Sequence, residues 1–139
     1  MFEAMAFEHH RTIRLADTDA AGVVYFARTL SICHEAYEES LATAGVHLAD
    51  LLGKIDLVVP IAKSEAEYLR PLKAGDKVRI VVAPEPLTDH SFAIRFEVYR
   101  LGNPEKLAAR VRTEHVCTSP SKRARVELPP GLANWIGGR

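Results

Sequence analysis

The sequence is poor in cysteine and in long apolar runs, and neither sign of charge is in excess. It has two cysteines, Cys33 and Cys117, too few for a disulfide framework and without the spacing of zinc ligands. No window is apolar for long enough to form a membrane-spanning helix, and the first residues lack the apolar core of a signal peptide. We therefore expect a cytoplasmic protein that binds no membrane and keeps its cysteines reduced.

The charge balance gives no sign of a nucleic-acid partner. Eighteen Lys and Arg residues match eighteen Asp and Glu residues, so no overall positive field attracts DNA or RNA. A composition of 47% hydrophobic and 26% charged residues is typical of a globular protein and argues against disorder. A chain of 139 residues fits one domain, and we expect residues 1–139 to form it.

One long helix is the clearest feature of the sequence pattern. Apolar residues recur at steps of three and four, the spacing of an amphipathic helix, and Gly45 follows where helices commonly end. The predicted helix covers residues 26–44, and its apolar stripe consists of Phe26, Leu30, Cys33, Tyr37, Leu41 and Ala44. Polar residues, among them Arg28 and Glu35, occupy the other side, which we expect to face solvent.

The rest of the chain alternates between runs typical of strands and turns. Alternating hydrophobicity or β-branched composition predicts strands over residues 7–15, 57–69, 77–83, 91–101 and 107–118. In the first of these, Leu15 is predicted to point inward with Phe7 and Ile13. A Pro-Glu-Pro run at 84–86 is expected to end the third strand, and a short helical turn is expected through Trp135.

The order of these elements predicts the fold class. One strand, one long helix and four further strands with short connections favour an antiparallel meander of the last four strands. A single helix that covers one face of that sheet gives a two-layer α+β domain. The uncovered face still carries apolar positions, so we also expect subunits to associate.

The segment between the first strand and the helix is the best candidate for chemistry. Asp17 and Asp19 are two residues apart, so their carboxylates point the same way in extended chain, and Gly22 permits backbone conformations that other residues resist. The helix start offers free N–H groups and a partial positive charge. Such amides can hold an oxyanion while a carboxylate acts as base or nucleophile. An acidic helix cap explains the same residues, and spacing alone does not decide.

The run LADTDAAGVVYFARTLSICHEAYEESL, residues 15–41, resembles the 4-hydroxybenzoyl-CoA thioesterase family. The hallmark of that family is D-x-D-x-x-G-[IV]-V-[YW] between a strand and a long helix, and the resemblance extends over most of the chain. It implies the hot-dog fold, in which an antiparallel sheet wraps around one long central helix. Within the family, the motif and the residues CHEAYE at 33–38 are most similar to hydrolases of 1,4-dihydroxy-2-naphthoyl-CoA.

The resemblance also implies roles for individual residues. Asp19 corresponds to the catalytic carboxylate, which attacks the thioester or activates water, whereas Asp17 holds the turn. The backbone amide of Phe26, together with Tyr25, is expected to polarise the thioester carbonyl. The residues expected to contact the substrate are Gly22, His34, Val59, Pro60, His90 and Ser91.

These contacts are expected to come from more than one subunit. By the resemblance, Val59 and Pro60 line the acyl pocket of a neighbouring subunit, and His90 and Ser91 contact CoA. His34, which replaces an acidic residue of many relatives, either orients the acyl ring or a water molecule, or is a hydrogen-bonded core histidine. The expected partners are an acyl-CoA substrate and further copies of the same chain. We expect at least a homodimer, and a homotetramer formed from two such dimers. No metal or other cofactor is expected.

Alternatives remain open from the residues alone. A thioesterase of broader specificity would use the same catalytic residues, and a non-catalytic acyl-CoA-binding module would bind without turnover. A binder of single-stranded nucleic acid could stack bases on Phe92, Phe96 and Tyr99, but Phe92 and Phe96 share a face with predicted core residues. A basic cluster that suits either the phosphates of CoA or a solvated surface consists of Lys122, Arg123 and Arg125.

Overall fold

The computed structural model describes residues 6–52 and 55–137. Its helices are α1 (Phe26–Thr43), α2 (Leu48–Leu51) and α3 (Pro130–Ile136). Its main strands are β1 (Phe7–Thr12), β2 (Ile61–Tyr68), β3 (Lys77–Thr88), β4 (Ser91–Arg100) and β5 (Lys106–Val116). Two short strands, β6 (Thr118–Ser119) and β7 (Ala124–Arg125), pair with each other in a separate hairpin.

The five main strands form one antiparallel sheet in the order β1-β3-β4-β5-β2, and α1 packs across one of its faces. Side chains alternate across a strand, so Phe92, Ile94 and Phe96 of β4 all point towards the helix, and each is at most 2% exposed. They belong to the same buried cluster as Tyr37 and Leu41 of α1. One helix layered on one sheet confirms the predicted α+β class.

The C-terminal helix α3 covers one end of this core. Its residues Leu132, Trp135 and Ile136 are buried. The indole N–H of Trp135 donates a hydrogen bond to the hydroxyl of Ser40 on α1, at 2.8 Å, so the buried donor is satisfied. The helical turn predicted through Trp135 is confirmed.

The predicted meander of the last four strands is wrong for β2. Strands β3, β4 and β5 are consecutive neighbours, but β2 pairs with β5 at the far edge of the sheet. The segment after β2 is a crossover: Leu72 is buried, and its carbonyl accepts the amide of Val24 at 2.8 Å. The carbonyl of Asp76 then accepts the amide of Ile13 at 2.8 Å, which brings β3 beside β1. Because these contacts join distant parts of the chain, local pattern does not reveal them.

The third predicted strand is longer than expected. Strand β3 continues to Thr88, because Pro84 and Pro86 both pair with residues of β4. Pairing with β1 stops at Val82, so the prolines, which have no N–H to donate, lie where β3 is an edge of the sheet as described. The prediction that the Pro-Glu-Pro run ends the strand is therefore wrong.

The first strand is shorter than expected. It ends at Thr12, and a 3₁₀ turn at Leu15–Asp17 follows it. Ile13 is buried as predicted, but Leu15 is 79% exposed. The turn breaks the alternation on which the inward prediction for Leu15 rested.

The buried face of α1 is rotated relative to the predicted stripe. Cys33, Tyr37 and Leu41 are buried as expected, but Phe26 is 60% exposed and Ala44 lies just beyond the helix. The other buried residues of the helix are Thr29, Ile32, Ala36 and Ser40. The rotation leaves the first residue of α1 at the surface.

The face of the sheet away from α1 carries apolar positions such as Val81 and Ala93, as expected, but they are fully buried because charged side chains cover them. Arg79, for example, pairs with Glu8 at 2.7 Å and with Glu105 at 2.8 Å. Long charged side chains of this kind cover the small apolar residues beneath them. Exposed apolar residues occur instead at the two ends of the edge strand β2, where Ile61 is 44% and Tyr68 51% exposed.

Candidate active site

The chain between β1 and α1 forms a tight loop. Thr18 and Val24 pair as an isolated antiparallel bridge, and the amide of Asp19 donates to the carbonyl of Val23 at 3.0 Å. The tip closes where the amide of Gly22 donates to the carbonyl of Asp19, also at 3.0 Å. Gly22 has a φ of +83°, which glycine adopts without a steric penalty. Gly22 therefore adopts the backbone conformation that was expected to need a glycine.

Asp19 lies in this loop and is exposed to solvent. Its Oδ1 accepts the amide of Ala21 at 2.9 Å, which orients the carboxylate. Its Oδ2 has no hydrogen-bond partner among the residues that the structure describes. A carboxylate held through one oxygen and open at the other can take a proton from water or attack an acyl carbon.

Asp17 has the opposite environment, since it is only 1% exposed. Its Oδ1 accepts Nε of Arg28 at 2.8 Å, and its Oδ2 accepts the amide of Arg14 at 2.8 Å and lies 3.1 Å from Nη1 of Arg11. Burial acts to raise the pKa of Asp17, but these hydrogen bonds and the charge of Arg11 outweigh it and lower the pKa. Asp17 therefore holds the loop, and Arg28, predicted on the solvated side, is tied to it.

The helix start follows directly, with Tyr25 as the residue that precedes α1. The amide of Tyr25 donates to the carbonyl of Asp17 at 3.0 Å, so it is occupied and is not the second carbonyl-polarising amide. The amide of Phe26 lies in the first turn, where N–H groups have no acceptor within the helix. The positive end of the helix dipole is at the same place. An acyl oxygen that gains negative charge can be stabilised there.

A cleft of about 300 Å³ opens beside this helix start. The apolar side chains of Val24 and Leu72 contribute to its lining, together with Tyr68 at the end of β2. The hydroxyl of Tyr68 donates to the carbonyl of Phe26 at 3.0 Å. Tyr68 could not be predicted as a site residue, because 42 residues separate it from Phe26 and only the sheet brings the two together.

The other predicted site residues lie at the opposite end of β2. We call the two ends of this strand the Tyr68 end and the Ile61 end. Pro60 precedes Ile61, and its carbonyl accepts the amide of Val116 at 3.1 Å; Val116 in turn pairs with Ser91. The eight residues of β2 separate the two ends by about 23 Å, from the rise of a strand. One chain therefore does not bring Pro60 and Ser91 to the helix start.

His90 lies in the turn between β3 and β4, and Ser91 is the first residue of β4. The Thr88 hydroxyl is 2.6 Å from Oγ of Ser91 and 3.3 Å from Nδ1 of His90. The carbonyl of His90 accepts the amide of Cys117 at 2.7 Å, and the hairpin of β6 and β7 begins at the next residue. The exposed basic residues of that hairpin are Lys122, Arg123 and Arg125.

His34 and Val59 also lie towards the Ile61 end. His34 borders a groove between α1 and β2 together with Leu30 and Ile61. Its ring meets the ring of Tyr37 edge-on, with centroids 5.2 Å apart. Val59 is half-buried against the core. Because His34 is exposed, its interpretation as a buried core histidine is wrong.

The buried histidine of this region is His115, which was not among the predicted site residues. It is 1% exposed, its Nε2 lies 2.7 Å from the hydroxyl of Thr113, and its ring stacks on Phe92 with centroids 4.7 Å apart. Burial lowers the pKa of His115 to about 4, so the ring is neutral at pH 7. It completes an aromatic cluster with Tyr37 and Trp135.

The described residues offer few other reactive groups. In residues 6–52 and 55–137, no group of three or more His, Cys, Asp or Glu side chains is placed to hold a metal ion. Cys33 and Cys117 are both buried, and burial raises the pKa of each thiol, which makes them poor nucleophiles at neutral pH. Within the same part of the chain, every helix is too short or too polar to cross a membrane.

Comparison with known proteins identifies the family. A model of the thioesterase-like superfamily matches residues 13–136, and the chain belongs to this superfamily. It is 43% identical over 129 residues to a 1,4-dihydroxy-2-naphthoyl-CoA hydrolase of Microcystis aeruginosa, and the match covers 93% of this chain and 91% of that protein. A hydrolase of the same name from Crocosphaera subtropica is 41% identical, and the match covers 92% of this chain and 93% of the relative.

A solved structure agrees with this assignment. The crystal structure of a 1,4-dihydroxy-2-naphthoyl-CoA thioesterase from Synechocystis matches with a TM-score of 0.90 at 31% identity. The match covers 95% of this chain and 96% of that one. The hot-dog fold and the thioesterase family expected from residues 15–41 are both confirmed.

Proposed function

We propose that this protein is an acyl-CoA thioesterase that acts on an aromatic acyl-CoA. Its substrate is 1,4-dihydroxy-2-naphthoyl-CoA, which it hydrolyses to 1,4-dihydroxy-2-naphthoate and CoA in phylloquinone or menaquinone biosynthesis. The observation that carries the proposal is the loop that keeps the carboxylate of Asp19 open to solvent directly before the helix start at Phe26. Relatives named for this hydrolysis, at 41% and 43% identity, support the choice of substrate.

Asp19 supplies the base or the nucleophile. As a base, its Oδ2 takes a proton from water, and the water oxygen attacks the thioester carbon. As a nucleophile, Oδ2 attacks that carbon itself, and water then opens the resulting anhydride. In both routes the C–S bond breaks, and the sulfur of CoA leaves as a thiolate and takes up a proton. The amide of Phe26 donates to the acyl oxygen while that oxygen carries negative charge.

The active site in this proposal is shared between two copies of the chain. Strand β2 lies at the edge of the sheet, and most of its residues are exposed. Antiparallel pairing of two such edges around a twofold axis puts the Ile61 end of one copy beside the Tyr68 end of the other. Apolar burial of the exposed Ile61 and Tyr68 side chains favours this pairing.

Each shared site then draws its groups from both subunits. Asp19 and Phe26 come from one subunit, and the side chains of Val59, Pro60 and His34 come from its partner and line the acyl group. Gly22 keeps the loop that contains Asp19, between β1 and α1, close to the thioester; we call this segment the catalytic loop.

CoA extends towards the turn at His90 and Ser91 and the basic hairpin of β6 and β7. Their hydroxyl, imidazole and cationic groups suit its phosphates. We further propose that residues 1–139 form one domain, that two dimers pair as a homotetramer, and that the protein works in the cytoplasm.

A hydrolysis assay that follows free thiol tests the proposed function. The substrates are 1,4-dihydroxy-2-naphthoyl-CoA, 4-hydroxybenzoyl-CoA, benzoyl-CoA and several aliphatic acyl-CoA esters. We expect the highest kcat/KM on the naphthoyl ester. Similar activity on aliphatic esters would indicate a thioesterase of broader specificity. Calorimetric binding of a non-hydrolysable analogue without turnover of any ester would indicate a binding module.

A further inference from the structure

A chain of ion pairs, which the proposed hydrolysis does not use, runs from β1 to α1 through the start of the catalytic loop. Nε of Arg28 is 2.8 Å from Asp17 Oδ1, and Nη1 of Arg11 is 3.1 Å from Asp17 Oδ2. Nε of Arg11 is also 3.2 Å from Glu35, which lies on α1. We call Arg11, Asp17, Arg28 and Glu35 the clamp. Two positive and two negative side chains balance within it.

Asp17 connects the clamp to both sides of the loop. Its carboxylate, 1% exposed, is held by the two arginines and by the amide of Arg14. Its carbonyl accepts the amide of Tyr25 at 3.0 Å, directly before α1 begins. The loop that contains Asp19 is closed between these two attachments.

The relative position of Asp19 and the Phe26 amide therefore depends on Asp17. A reacting carboxylate and an oxyanion donor must hold their geometry to within a fraction of an ångström, since a displacement of about 1 Å can lower a rate about 100-fold. The exposed tip of the loop cannot supply this rigidity by packing. Hydrogen bonds from Arg28 and from the amide of Arg14 to the buried Asp17 carboxylate can supply it, together with the ion pair to Arg11.

We propose that Asp17, Arg11 and Arg28 are positioning residues for thioester hydrolysis, which they support by fixing the loop of Asp19 against the start of α1. The inference rests on the proposed function, because the reaction whose rate it concerns is the hydrolysis assigned to Asp19. Asp17 itself is a poor base, since both of its carboxylate oxygens are engaged. The clamp acts through the geometry of Asp19 and Phe26.

The test compares Asp17→Asn with a matched ion-pair variant outside the loop. Glu105→Gln is the control, because Glu105 also pairs with an arginine on the sheet, at 2.8 Å from Arg79, and its pKa is lowered by that hydrogen bond. For Asp17→Asn we expect kcat to fall at least about 10-fold while KM changes by less than about 3-fold. Glu105→Gln should leave both parameters unchanged.

Hydrogen exchange provides a readout that does not need activity. In Asp17→Asn, the amides of residues 18–25 should exchange faster than in the wild type, whereas Glu105→Gln should leave them unchanged. If Asp17→Asn does not fold, Arg28→Gln takes its place, because the Arg28 side chain is 46% exposed. We expect the same direction of change in kcat and in exchange for that variant.

The outcomes separate this inference from the proposed function. Wild-type kcat and wild-type exchange in both Asp17→Asn and Arg28→Gln would overturn the inference, even if Asp19→Asn is inactive. A rise in KM alone would also overturn it, because binding rather than positioning would then be lost. Wild-type turnover by Asp19→Asn would overturn the proposed function, and the inference with it. In a double variant Asp17→Asn/Arg28→Gln, we expect no further loss of kcat beyond Asp17→Asn.

Discussion

The two ends of β2 are held in different ways. At the Tyr68 end, the loop of Asp19 is exposed and is oriented by backbone hydrogen bonds and by the ion pairs of Asp17. At the Ile61 end, His115 stacks on Phe92 inside a buried aromatic cluster. Directional polar contacts fix a reactive group that must stay open to solvent, whereas close packing fixes a surface that only has to fit a ligand. The contrast matches the division of the proposed site into a reacting half and a binding half.

Replacing the reactive carboxylate tests the Tyr68 end, and we expect the largest effect there. Asp19→Asn keeps the size of the side chain but removes the base or nucleophile, so kcat should fall by about 10²–10⁴-fold. The thermal midpoint should change little, because Asp19 is exposed. Hydrolysis kinetics and thermal unfolding measure the two quantities.

Glu39→Gln is the control for this variant, since Glu39 is an exposed acid on α1. It should retain wild-type kcat. A kcat for Asp19→Asn within a factor of about three of wild type would contradict the assignment of the catalytic acid.

Mixed dimers test whether the two ends meet between subunits. Asp19→Asn disables the reacting half, and Val59→Arg places a charge in the predicted acyl pocket and disables the binding half. In a heterodimer of the two variants, one site has both defects and the other has neither, so the activity should be about half that of wild type. Co-expression with two different tags and purification on both tags selects assemblies that contain both variants, and any activity above that of the parents then comes from heterodimers.

Each parent homodimer serves as a control and should be inactive, because each of its sites contains one defect. If the heterodimer is as inactive as its parents, each site is built from one chain. That result would contradict the shared active site and the role of the β2 edge in forming it.

The buried imidazole makes the Ile61 end sensitive to acid. The pKa of His115 is about 4 in the folded chain and 6.5 in its ordinary state, so between these values only the unfolded chain binds the proton. Stability is therefore complete above pH 6.5 and falls as the pH drops towards 4, with about 2 kcal/mol lost at pH 5. Urea unfolding at pH 7.5 and pH 5 measures the change.

His115→Gln should show a smaller difference between the two pH values, because it has no titrating group at this position. His10→Gln is the matched control, since the side chain of His10 is 59% exposed, and it should behave like wild type. An equal pH dependence in wild type and His115→Gln would contradict the assignment.

A smaller effect is expected at the aromatic cluster of the same end. Trp135→Phe keeps a ring beside Phe92 but removes the N–H that donates to Ser40 at 2.8 Å. The loss of one buried hydrogen bond should cost about 1–3 kcal/mol, because the hydroxyl of Ser40 is left without its donor. Urea unfolding at neutral pH measures it. The double variant with Ser40→Ala should recover part of the loss, and a further full loss in that variant would contradict the pairing.

Much of the fold could be predicted because its signals are local. The steps of three and four residues around Cys33, Tyr37 and Leu41 predicted α1 almost to its ends, and the alternation from Phe92 to Val98 predicted the central strand. The position of β2 could not be predicted this way. The sequence of a strand indicates which of its faces is buried but not which strand lies beside it. The crossover through Leu72 places β2 beside β5 rather than beside β3.

In the candidate site, too, features formed by contiguous residues could be predicted, and features formed by distant residues could not. The motif around Asp19 and Gly22 is contiguous, so its loop and its place before the helix followed from the sequence. The partners of Asp17 did not, because Arg11 and Arg28 approach it from a strand and a helix. The exposed orientation of Phe26 and its bond to Tyr68 also depend on how α1 lies on the sheet.

Local patterns of residues close together in the chain were enough to predict the helix, most of the strands, the loop motif and the family. The strand order and the burial of Asp17 could be seen only in the folded structure. The same holds for the solvent exposure of the Asp19 carboxylate and for the positions of Ile61 and Tyr68 at opposite ends of an edge strand. Those features depend on contacts between distant segments of the chain. The energies of these contacts are set by packing and by the removal of water, and the local sequence pattern predicts neither of them.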